Sequence, residues 1–70
     1  MTTIQFFGLD ADGLCRGGVV AGRAPTEVAE ELYRLGWRSA TLLREHHQVV
    51  GWLRPDPDSQ DRTTWYGEDR

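Results

Sequence analysis

The side chains most able to do chemistry fall at His46-His47, at Cys15 and at Asp10-x-Asp12-Gly13. Adjacent imidazoles can each offer a nitrogen to a metal. A zinc site, however, gathers three or four ligands at a spacing that brings them together, and Cys15 is the single thiol of the chain. The paired histidines therefore read as a hairpin tip, and no metal is expected. Asp10-x-Asp12-Gly13 looks like the start of a calcium loop but lacks the later oxygen ligands and the closing bidentate Glu, so it reads as a turn. A nucleophilic Cys15 would need a base and an orienting group set in a cleft, for which so short a chain has little room. No catalytic residue and no cofactor are expected.

The remaining chemistry belongs to arginine. All eight basic side chains are Arg, against eleven acids, for a net charge of −3. That balance argues against general binding to a polyanion, which is driven by neutralising phosphates. The charge is unevenly placed. Residues 25–36 set three Glu against Arg34, and 55–70 set five acids against two Arg. Residues 37–54 carry Arg38, Arg44 and Arg54 against Glu45 alone, so this stretch is the net-basic part of the chain.

A chain of 70 residues makes a single domain, 1–70, with a thin core. Small domains commonly add disulfides, a metal or a partner chain, and the first two have no support here, which leaves the partner. The lone cysteine fits a reducing compartment. The start, MTTIQFFGLDADG, lacks the basic and long apolar regions of a signal peptide, and no stretch reaches the ~20 apolar residues of a membrane span. The expectation is a cytoplasmic protein without a membrane partner.

Residues 2–9 alternate as a first strand, with Ile4 and Phe6 on one face and Gln5, Phe7 and Leu9 on the other. Asp10 to Gly13 turns the chain into a Gly-rich second strand, Leu14 to Gly22. Pro25 then opens a helix whose Val28, Leu32 and Leu35 recur at helical spacing and which Gly36 stops. Trp37 to Glu45 and Gln48 to Arg54 form a second hairpin around His46-His47. The run Pro55 to Asp61 is turn chemistry linking strands, and Arg62 to Gly67 supplies a last strand. The order is ββαβββ, an α+β layer with one helix on one face of an antiparallel sheet. A β-grasp-like topology, with the first and a later strand side by side, is the rival.

A two-residue loop at His46-His47 sets Leu42 against Gly51 and Ala40 against Leu53 on one face, with Thr41 against Trp52 and Leu43 against Val50 on the other. The small residues Ala40 and Gly51 mark the face under the helix. Leu43, Val50 and Trp52 are then left on the open face, joined there by Trp65 or Tyr66 from the last strand. Two binding readings follow. In one, this patch, flanked by Arg44 and Arg54, meets another protein or its own copy in a symmetric dimer. In the other, the aromatic side chains stack on single-stranded nucleic acid while Arg38, Arg44 and Arg54 reach its phosphates. The acidic balance favours protein.

Gly36-Trp37-Arg38, Val49-Val50-Gly51, Pro57-Asp58, Arg62 and the pair Trp65-Tyr66 form a pattern of short motifs within about residues 30–69. By these motifs the second half of the chain resembles small accessory proteins of actinobacterial viruses. The all-Arg composition, which fits a GC-rich coding sequence, agrees with it. Such proteins mostly carry no assigned activity, so the resemblance implies an origin and a fold but no chemistry. Taken with the short chain and the lack of site chemistry, it leads to the expectation of a non-enzymatic accessory protein in the host cytoplasm, acting by protein–protein contact on a host component.

Overall fold

A computed structural model describes residues 3–67, apart from the side chains of His46, Ser59, Gln60 and Asp61. Five antiparallel strands form one sheet: β1 (Thr3–Leu9), β2 (Cys15–Ala21), β3 (Ser39–Arg44), β4 (Gln48–Asp56) and β5 (Ser59–Gly67). Helix α1 (Pro25–Arg34) connects β2 to β3, and a short 3-10 turn, Glu45–His47, connects β3 to β4. The strand order across the sheet is β2-β1-β3-β4-β5. The α+β architecture and the ββαβββ order expected from the sequence are therefore present. The first strand does lie beside a later one, β3, and every pairing is antiparallel. It follows that β2 and β3 run the same way on either side of β1, and α1 is the crossover that such a pair requires.

The helix begins and ends where its chemistry dictates. Pro25 sits in its first turn, where no intrahelical partner waits for an N–H, and the Ala24 N–H donates to the Glu27 carboxylate at 3.3 Å. At the other end the Trp37 N–H reaches the Leu32 carbonyl and the Gly36 N–H the Tyr33 carbonyl, each at 3.0 Å, with Gly36 at φ +84°. This is a Schellman ending, and it needs a residue without a Cβ at Gly36. It also corrects the expected stripe. Val28 and Leu32 are buried, but Leu35 falls beyond the last helical residue and is 62% exposed. The Schellman turn swings Trp37 into the core instead, 8% exposed, where its ring meets Phe6 edge-on at 5.6 Å.

The core lies between α1 and one sheet face, filled by Ile4, Val28, Ala29, Leu32, Leu42 and Leu53 with Trp37, Ala40 and Val50. Ala40 and Gly51 lie on this face, as expected, although the space above Gly51 is filled by the Trp65 indole rather than by the helix: a Cβ on Gly51 would fall 2.2 Å from that ring. The stretch after Arg54 differs from expectation. β4 continues through Pro55, paired with Thr63, and only Pro57-Asp58 makes the turn. Pro55 is tolerated because it lies past the last β3 pair, Ala40 with Leu53, where β4 has a neighbour on one side only.

The β1–β2 turn is held by Asp10. Its Oδ1 accepts the N–H groups of Asp12 at 2.9 Å and Leu14 at 3.0 Å, and its Oδ2 lies 2.6 Å from the Arg16 Nε. The Asp10 carboxyl is held below its ordinary value of 3.8, by the Leu14 N–H first, then by the Asp12 N–H and the Arg16 guanidinium, with burial opposing them. A folded-state pKa below the unfolded one contributes stability that is fully present above pH 3.8 and is lost as pH falls through the lower, folded value. An Asp10→Asn variant is therefore expected to be less stable than wild type at neutral pH, with the gap closing as the pH drops below 3.8. Urea denaturation at a series of pH values reads this directly, and a gap that does not change with pH would refute it.

Candidate interaction surface

The sheet face turned away from α1 carries the residues of interest. Strand register sets Gly17, Phe7, Thr41, Trp52 and Tyr66 side by side across the whole sheet. Phe7 (49%), Trp52 (38%) and Tyr66 (42%) are all substantially exposed, and they form an aromatic row interrupted by Thr41. Flanking it on the same face are Leu9, Val19 and Val49, also exposed. The Arg54 guanidinium stands over the Trp52 ring, 5.0 Å from its centroid. Phe7, Ser39, Thr41, Trp52 and Arg54 border a shallow hollow of about 260 Å³.

The expected site residues are distributed differently from the sequence reading. Trp52, Arg54 and Tyr66 are on the open face. Leu43 points there too but is 9% exposed, set between Gln5 and Val49. Val50 is a correction: it is 4% exposed and belongs to the helix-side core. The reason is local. The turn consumes three residues, pairing Arg44 with Gln48 and Leu43 with Val49, and His47 takes φ 59°, the left-handed position usual after such a turn. A bulge then restores the pairing of Leu42 with Gly51, so that Val50 and Gly51 together oppose Leu42 and Val50 turns inward. Trp65 is the second correction. It alternates with Tyr66, pairs with Leu53 and packs against the core, so only Tyr66 joins the open face. Arg44 borders a second recess with Thr3, Gln5, Val19, Glu45 and His47. Arg38 lies beyond the sheet, its guanidinium near Gly13.

Phe7, Val19 and Val49 are the face residues that the sequence reading did not join to the patch. Alternation along β1 already separates Phe7 from Ile4 and Phe6. What brings Phe7 to Trp52 is the insertion of β1 beside β3, a pairing between distant segments that no local pattern announces.

The electrostatics of the two faces differ. Glu27, Glu30 and Glu31 ride on α1, on the other side of the sheet, and Glu31 pairs with Arg23. Asp10, Asp12, Glu45, Asp56 and Asp58 lie in turns or at a strand end. Glu45 borders the recess that Gln5, Val19 and Arg44 line, whereas the paired positions of the aromatic row carry no acidic side chain and Arg54 stands over Trp52. No group of three or more potential metal ligands occurs among the described residues, and Cys15 is a free, exposed thiol on β2. No helix among the described residues is long and apolar enough to cross a membrane.

Compared with known proteins, the chain matches no family model, no curated protein and no solved structure. What the surface does must be read from its own chemistry. Exposed aromatics grouped with an arginine on a flat face are the side chains that anchor protein interfaces.

Proposed function

We propose that this is a non-enzymatic protein-interaction module, of the kind encoded by actinobacterial viruses, whose open sheet face binds a host protein in the cytoplasm. The row of Phe7, Trp52 and Tyr66, with Arg54 stacked on Trp52, carries the reading. Contiguous exposed apolar side chains such as Phe7, Trp52 and Tyr66 on a small domain mark a surface that a partner covers. The row is carried on one continuous five-stranded sheet, which limits the ordering cost of binding. Affinity capture from an actinobacterial lysate tests the proposal when wild type is run beside Phe7→Glu and Trp52→Glu. Proteins retained by wild type and lost from both variants support it, and a set unchanged by either substitution overturns it.

A second reading rests on the same row. Aromatic side chains on an open sheet, with an arginine among them, can also stack nucleobases while Arg54 meets the backbone phosphates. It predicts binding of a single-stranded oligonucleotide that weakens steeply with salt, and no binding at low salt removes it. The acidic balance of the whole chain places it second.

A further inference from the structure

The sheet has two edges, β2 and β5, and they differ in how they are protected. Natural edge strands avoid joining other chains through charges, prolines, bulges, shortness or a covering element. β2 has Gly17 and Gly18 at mid-strand, which weaken any added ladder. β5 runs for nine residues with a register shift on the turn side of Thr63, and past that shift Thr63-Thr64-Trp65-Tyr66 pair regularly with β4 and combine strong strand formers with no charge and no proline. Nor is it covered from above. A groove of about 480 Å³ separates the flank of α1, with Ala29, Glu30, Tyr33 and Arg34, from Thr63 and Trp65.

We propose that two copies of the chain pair antiparallel through β5, about Thr64, joining their sheets into one of ten strands. The pairing is self-complementary on both faces. On the open face, Arg62 falls opposite the partner's Tyr66, a cation beside an aromatic ring, and like charges do not meet. The aromatic rows then run on through the joint, so both open faces lie on one side of a doubled surface.

The helix side supplies the charge match. Because α1 packs on β4 and β5, a strand spacing of ~4.8 Å brings the two helices to roughly 10–14 Å apart across the joint. The groove sets Thr63 and Trp65 beside the helix segment holding Glu30 and Arg34, so an axis through Thr64 passes close to that segment. The helices are related by that axis and run antiparallel, which faces Glu30 with the partner's Arg34 and Arg34 with the partner's Glu30. The two half-grooves close on each other and bury the exposed ring of Tyr33. The contact borders the open face at Tyr66 but does not require a partner protein there, so its failure leaves the function proposed above untouched.

Sedimentation velocity of the full chain tests it. Wild type is expected to form dimers at high micromolar concentration, and Glu30→Arg and Arg34→Glu, each of which opposes like charges at both symmetric contacts, are expected to weaken dimerisation about tenfold or more. The double variant Glu30→Arg/Arg34→Glu recreates the pairs in reverse and is expected to return to within about threefold of wild type. Circular dichroism confirms that each variant is folded, as substitutions at exposed helix positions should be. A wild type that stays monomeric, a dimer indifferent to the single reversals, or a double variant that fails to recover would each overturn the proposal. So would a dimer dispersed by Trp52→Glu, which would place the contact on the open face.

Discussion

Gly8→Ala is expected to remove a large share of the protein's stability. A Cβ at that position falls 2.2 Å from the Ser39 carbonyl oxygen and 2.6 Å from the Ala40 Cα, both main-chain atoms of the neighbouring strand. No rotamer change relieves such a contact, so β1 and β3 must separate where Gly8 faces Ala40. Overpacking that moves backbone costs about 1–3 kcal/mol and at times more. A single small core supplies only about 3–5 kcal/mol in total, so the substitution removes a large share of it. β1 is also the strand through which β2 is attached to the rest of the sheet, and Ile4 lies at the centre of the core. Urea denaturation followed by circular dichroism should show the loss. Gly22→Ala is the comparison: no atom lies within 4 Å of its Cβ, and its φ of +75° alone should cost about 1–2 kcal/mol. Equal stability of Gly8→Ala and wild type would contradict the β1–β3 register.

The second large effect is on binding. Trp52 stands in the middle of the aromatic row, between Thr41 and Tyr66, with the Arg54 guanidinium on its ring. Central aromatic anchors cost about 2–4 kcal/mol when removed from an interface, which is roughly 30- to 1000-fold in affinity. Trp52→Glu also places an uncompensated carboxylate in the contact, so the upper part of that range is expected. Folding should weaken by less, about 1–2 kcal/mol, through lost strand propensity and the lost Arg54 contact, since Trp52 is 38% exposed. Tyr33→Glu, at a comparably exposed ring on α1, should leave partner binding unchanged. Equal losses from Trp52→Glu and Tyr33→Glu would show that neither face is specific.

The parts legible in the sequence were those fixed by neighbouring residues. Pro25 and Gly36 delimit the helix, Asp10 to Gly13 make the first turn, and alternation set Ala40, Leu42 and Leu53 on one face with Thr41 and Trp52 on the other. The parts that were not legible depended on distant pairings or on a single extra residue. The bulge at Val50 reverses that side chain, and a strict two-residue period cannot represent it. Leu35 kept the helical spacing after the helix had already ended, because a hydrophobic period does not count hydrogen bonds. The site itself was half visible. Trp52, Arg54 and Tyr66 were marked by type and place, whereas Phe7 reaches them only through the order β2-β1-β3-β4-β5.

The three tryptophans divide the molecule into regions that a single experiment can separate: Trp37 in the core, Trp52 on the open face and Trp65 beside the groove under α1. Each contributes one indole N–H resonance to a nitrogen–proton correlation spectrum of the labelled protein. Titration with a partner captured by the wild type is predicted to shift or broaden the Trp52 indole strongly, to move Trp65 little and to leave Trp37 in place. A spectrum in which Trp65 responds while Trp52 keeps its free position would contradict the account, because the partner would then bind the helix side of the sheet.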